Sequence, residues 1–177
     1  MKSRLSLCVN CSFVKCLVIS SVGSYLLIFK QITYSKEHSY LLNKADGKLY
    51  RLVYQAAPWD KAVTVCERDG AKLAVPKTQE EFLFLQQLVR GMHYPSIVGA
   101  QFRLLAWLGI QNREDHKIWK NIDGENINDT GFHKWASGNG SGFSDNPAEP
   151  HCVGIDAANP GFRQYWCDHH QPFICQK

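Results

Sequence analysis

Four cysteines set the terms for this chain. Cys152, Cys167 and Cys175 crowd its last stretch, and Cys66 stands far upstream. Between Cys152 and Cys175 lie two short apolar runs with strand character, residues 153–155 and 162–166, separated by Ala157-Ala158-Asn159-Pro160-Gly161. That spacer is turn chemistry, since Asn and Gly tolerate positive φ and Pro cannot sit in a central ladder. A hairpin carrying its own cysteines must be pinned to something earlier, and Cys66 is the only earlier cysteine outside the N-terminal segment. Four cysteines in an exported domain imply two disulfides, and the spacing alone leaves three connectivities open. Among these four cysteines no C-x-x-C spacing supports zinc, nor does any H-x-x-x-H pattern, and His169-His170 reads as a polar turn.

Export follows from the N-terminus. Lys2, Arg4 and Lys15 precede an apolar run across residues 17–29 that stops at Lys30, a positive n-region followed by an h-region. We read residues 1–36 as a signal peptide with a short linker, and residues 37–177 as one domain. The alternative is an uncleaved type II anchor, for which residues 13–29 are just long enough to span a bilayer. The protein is then either secreted or a membrane protein with an extracellular C-terminal domain. The formal charge of +4 is local to this segment: residues 1–36 hold five basic residues and no acid, leaving 15 basic against 16 acidic beyond. Nothing in that balance supports nucleic-acid binding.

Residues 40–54 read as two short strands around an Asp46-Gly47 turn. Pro58 opens a helix whose Trp59, Ala62, Val63 and Cys66 share one face, and Gly70 stops it. Leu73-Ala74-Val75 is a short buried run. Thr78-Gln79-Glu80-Glu81 is a capping box for a second helix with a Phe82, Leu85, Leu88, Val89 stripe, ended by Gly91. Residues 92–103 read as a loop, residues 104–110 as a buried strand, and Ile118-Trp119 as another short strand. Between residues 121 and 150 eighteen of thirty residues are Gly, Asn, Asp, Ser or Pro, yet Phe132 and Trp135 sit among them. A solvated linker has no use for those rings, so this is a long ordered loop folded over its own aromatics. Asn128-Asp129-Thr130 and Asn139-Gly140-Ser141 are glycosylation sequons.

In this order the pieces resemble the C-type lectin-like domain. The resemblance rests on Trp59, Ala62 and Cys66, on Ala71-Lys72-Leu73-Ala74, on Trp107-Leu108-Gly109-Ile110 and Trp119, on Trp135-Ala136-Ser137-Gly138, and on Cys152, Cys167 and Phe173-Ile174-Cys175. It implies an α+β fold in which two helices flank small antiparallel sheets beneath a long loop, with pairs Cys66–Cys175 and Cys152–Cys167. It looks like the short form of the domain, and its layout is similar to exported arthropod lectins of innate immunity. Sugar recognition in the family generally runs through calcium held by a Glu-Pro-Asn or Gln-Pro-Asp tripeptide, a Glu before the third cysteine and a Trp-Asn-Asp before the next. Calcium wants six to eight oxygens, and vicinal sugar hydroxyls complete its shell. Here Asn139-Gly140-Ser141 stands at the tripeptide position and Phe162-Arg163-Gln164 at the other, with a cation where a ligand belongs. Glu149 remains as an isolated acid.

We therefore expect no cofactor, calcium being disfavoured, no metal ligands and no catalytic residues. No Gly-x-Ser-x-Gly and no Gly-rich phosphate loop occurs, and a carboxylate pair of Asp145 and Glu149 in a polar loop reads as solvated. The expected ligand is a glycan or microbial surface component, bound by Asn139, Ser141, Asn146, Glu149, Arg163 and Gln164, with Tyr165 or Trp166 stacking on a sugar face. A protein partner at the same face is the alternative. Membrane attachment enters only if residues 13–29 are an uncleaved anchor.

Overall fold

A proline in the middle of the sheet shapes the architecture. In the computed structural model, which describes residues 40–100, 103, 105–140, 146 and 148–177, the last strand β8 (Gln171–Gln176) lies between β2 (Leu49–Ala57) and β4 (Ala106–Gln111). It carries Pro172, which has no N–H to give to a ladder. The β2–β8 register runs Tyr50↔Gln176 to Val53↔Phe173, then slips so that Ala57 faces Gln171. Opposite the proline, β2 turns its backbone elsewhere: Ala56 N donates to Val98 O at 2.8 Å and Tyr54 O accepts from Val98 N at 3.1 Å. For this reason the strand continues to Ala57, beyond the expected end at residue 54.

The other strands are β1 (Leu41–Leu42), β3 (Lys72–Leu73), β5 (Lys120–Asn121), β6 (Cys152–Ile155) and β7 (Arg163–Tyr165). The path β1-β2-β8-β4-β6-β7, with β3 on β8 and β5 on β4, joins the expected small sheets into one. Among the described residues the named strands pair antiparallel with one another except at Trp107↔Phe173, a parallel link between β4 and β8. The β1–β2 hairpin turns at Gly47, whose φ of 71° is left-handed, as its Asp46-Gly47 pair implied. The strand expected at Ile118-Trp119 begins instead at Lys120. Ile118 N is used by Asp115 O and Trp119 O by Ile127 N, so pairing with β4 starts two residues later.

Helix α1 (Trp59–Arg68) buries Trp59, Ala62 and Cys66, and Gly70 ends it at φ 65°. Helix α2 (Gln79–Arg90) buries Phe82, Leu85 and Val89. Thr78 Oγ1 accepts from Glu81 N at 3.1 Å, as a capping box requires. The Glu81 carboxylate reaches Lys77 N rather than the cap residue's own N–H, and it also pairs with Lys48. Two buried indoles tie elements together: Trp59 Nε1 of α1 donates to Leu108 O of β4 at 2.8 Å, and Trp107 Nε1 of β4 donates to Ala57 O at the end of β2 at 2.9 Å. Disulfides Cys66–Cys175 and Cys152–Cys167 join α1 to β8 and β6 to the turn after β7.

The leader expected at residues 1–36, including Cys8, Cys11 and Cys16, lies outside the described residues. Among the described residues no helix is long and apolar enough to cross a membrane.

Candidate functional site

The long loop is anchored by its aromatics. Phe132 stacks on Phe82 of α2 with ring centroids 4.6 Å apart and meets Phe162 edge-on at 5.1 Å. Trp135 packs against Trp119 at 4.8 Å and Phe162 at 5.7 Å. Each buried ring contributes a few kcal/mol of apolar burial, enough to hold a Gly/Asn-rich segment against the sheet. The backbone follows: Phe162 N donates to Lys134 O at 2.9 Å and Ala136 N to Phe162 O at 3.0 Å. Phe162 is thereby drawn out of β7, which begins at Arg163 instead of the expected residue 162.

At this start of β7 the loop is fastened again, by side chains. Gln164 N donates to Asn139 Oδ1 at 3.1 Å, and Gln164 Oε1 accepts from Gly140 N at 2.7 Å. Asn139 Nδ2 donates to Ser137 O at 3.0 Å. The Asn139 and Gln164 carbonyl oxygens are thus both engaged within the protein. Gly140 adopts φ 74°, and a Cβ there would meet the Trp135 ring at 2.2 Å, so this turn requires glycine.

Arg163 beside it is not a free cation. Its Nη1 donates to Asp156 Oδ2 at 2.9 Å, and the carboxylate is only 7% exposed. Asp156 also accepts from Ala158 N, Asn159 N and Asn159 Nδ2 at 2.6–2.8 Å. Burial alone would raise this carboxyl, but the Asn159, Arg163 and Ala158 hydrogen bonds outweigh it and hold it below the usual range. Helix α2 braces the same turn, with Gln86 Nε2 on Asp156 O and Asn159 O, and Arg90 Nε on Ala157 O.

Trp166, just past the opposite end of β7, is three residues on from Arg163, about 10 Å along an extended chain. Here an open cleft of about 500 Å³ is lined by Arg113, His116, Glu149, His151, Trp166 and Asp168, with Ala148 and Cys167. Both His151 ring nitrogens face acceptor oxygens, Asn112 Oδ1 and Asn146 O, each at 2.9 Å, and its ring stacks on His116 at 4.4 Å. Asn146 Oδ1 also accepts from Ala148 N at 3.0 Å, so Asn146 shapes the turn that presents Glu149. Arg113 forms a two-pronged bond to Asp60 at 2.7 and 2.9 Å and lies over the Trp59 ring at 5.0 Å. The Arg113 bond lowers the Asp60 carboxyl against the opposing effect of burial.

The residues expected to act together are therefore divided. Asn139, Arg163 and Gln164 gather at the start of β7, while Glu149 lines the cleft at its end and Asn146 shapes the turn behind it. Ser141 and Asp145 lie outside the described residues. Tyr165 is buried, whereas Trp166 is 41% exposed. Of the two sequon asparagines, Asn128 is exposed and Asn139 is partly buried. The sequence reading missed Asp156, Arg113, His116 and His151. Only Asp156 had a local signal, an Asp three residues before Asn159 in a turn.

Residues 55–177 match the family model described as "Lectin C-type domain". The chain belongs to the C-type lectin family. Its curated relatives include the CD209 antigen of Symphalangus syndactylus, 25% identical over 131 residues, and C-type lectin domain family 4 member M of Hylobates lar, 26% identical over 134 residues. These alignments cover 74% and 75% of this chain but only 30% and 29% of those longer proteins. The mouse scavenger receptor C-type lectin carbohydrate-recognition domain superposes with a TM-score of 0.61 at 22% identity, covering 78% of this chain and 93% of that one. A calcium-independent type II antifreeze protein superposes at 0.58 with 18% identity, covering 78% and 91%. At such identities the likeness is one of fold. C-type lectin domains are recognition modules of a carbohydrate-binding family and are not enzymes.

Proposed function

We propose that this C-type lectin domain is an exported recognition module that binds carbohydrate or a microbial surface glycan without the family's usual calcium site. The observation that carries this reading is the Asn139–Gln164 clamp. Where calcium would tie the long loop to β7, the two amide side chains bond to the opposing backbone directly. The neighbouring position holds a guanidinium committed to Asp156. Calcium is built into sites from carboxylates and free carbonyl oxygens; a cation and two engaged amides do not fit it. Among the described residues no group of three or more His, Cys, Asp or Glu side chains is placed to hold a metal. Export is supported by the two disulfides, which persist in oxidising compartments.

The test is binding to a glycan array and to bacterial surfaces, with calcium and with EDTA. Equal binding in both is expected; binding abolished by EDTA would overturn the metal-free reading. Competition with free oligosaccharides separates a glycan ligand from a protein partner, since capture of a deglycosylated protein that survives excess sugar would favour the partner.

A further inference from the structure

We propose that the sugar is held in the cleft at the Trp166 end of β7 and that it is an uncharged pyranose stacked on the Trp166 ring. This rests on the recognition reading above and assigns it a place away from the family's calcium position.

Trp166 is the first reason. It is 41% exposed, yet it is held still: its Nε1 donates to Ala148 O at 2.8 Å, His169 stacks on it at 5.6 Å and 27°, and Tyr165 meets it edge-on at 5.4 Å. His169 braces the indole without itself lining the cleft. An aromatic surface fixed before binding costs little further ordering when a ligand covers it, and the apolar face of a pyranose suits such a surface.

Charge is the second. Glu149 and Asp168 are exposed, and neither carboxylate forms an ion pair with another described residue. Ionised carboxylates only accept hydrogen bonds, so they suit sugar hydroxyls and repel sulfate, phosphate or sialic acid carboxylate. Arg113 does not offset them, because its guanidinium is already matched by Asp60. His151 keeps the geometry, bonding Asn146 O while Glu149 N donates to the same oxygen at 3.0 Å. A cleft of about 500 Å³ admits one or two sugar residues. At the other end of β7 the amide oxygens that could contact a sugar are already engaged, Asn139 Oδ1 by Gln164 N and Gln164 Oε1 by Gly140 N.

The experiment uses the full chain in EDTA, titrated with neutral, sialylated and sulfated mono- and disaccharides. Neutral sugars are expected to bind, with Trp166→Ala weakening them about tenfold or more, Trp166→Phe weakening them less, and Glu149→Gln reducing affinity at unchanged thermal midpoint. The Trp166 indole N–H resonance is expected to shift on titration, which reads the site in the unmutated protein should Trp166→Ala misfold. Wild-type affinity in Trp166→Ala, or a silent Trp166 resonance while sugar binds, would overturn the cleft and leave the recognition reading intact. Preference for sialylated or sulfated sugars would overturn the ligand class. Failure of every sugar to bind, with or without calcium, would sink both.

Discussion

Gly109 sits in the middle of the Trp107-Leu108-Gly109-Ile110 run with no positive φ to explain it. A Cβ there would come within 2.9 Å of Leu73 O and 3.1 Å of Leu73 Cβ and Val75 Cγ2, so β3 can lie against β4 only because the side chain is absent. Gly109→Ala should cost about 1–3 kcal/mol, as overpacking does, measured as a lower urea midpoint at unchanged m-value. Asp156 tests the same scale through pH. Its carboxyl is held below its ordinary value in the fold, so its contribution is present above the unfolded value of about 4 and is lost as pH falls through the folded one. Asp156→Asn should therefore be destabilised near neutral pH, with the gap to wild type narrowing in denaturation curves taken below about pH 4. Arg163 shows where residue-level reading stops. The sequence marked it as a cation out of place in a metal site, but its partner lies across the β6–β7 turn, and burial of that partner is a property of the fold.

Among elements, the helices and the last hairpin were legible because their signals are local: a capping box, a spaced apolar stripe, an Asn-Pro-Gly turn. β5 was misplaced because Trp119 is a side-chain anchor whose backbone serves a loop. The division of the site was not legible at all, since Arg113, Glu149, His151 and Trp166 converge only when β4, the long loop and β7 are assembled. The loop was readable as ordered from Phe132 and Trp135, though not its fastening. That fastening predicts coupling: Asn139→Ala and Gln164→Ala should each cost about 1 kcal/mol. A double-mutant cycle should return an interaction energy of roughly 0.5 kcal/mol or more, because each side chain bonds the other's segment. Full additivity would mean the clamp is not formed in solution. Removing Cys152–Cys167, which closes a 15-residue interval, should cost about 3 kcal/mol in the chain-entropy model.

For the whole molecule the decisive quantity is the linkage between calcium and folding. A domain whose long loop is organised by a bound ion gains RT ln(1 + [L]/Kd), about 2.7 kcal/mol when calcium stands at a hundred times its dissociation constant. In a chain of this size each kcal/mol moves the thermal midpoint by about 2–4 °C, so such a site would separate calcium and EDTA melts by roughly 5–11 °C. This domain fastens the loop with Phe132 on Phe82, Trp135 on Phe162 and the Asn139–Gln164 clamp, none of which exchanges with solvent ions. The expected result is coincident melts in millimolar calcium and in EDTA, in the wild type and in Gln164→Ala alike. A midpoint several degrees higher in calcium would mean that the ion, and not the clamp, holds the loop. A calcium effect appearing only in Gln164→Ala would mean that the amide displaced a metal still able to bind.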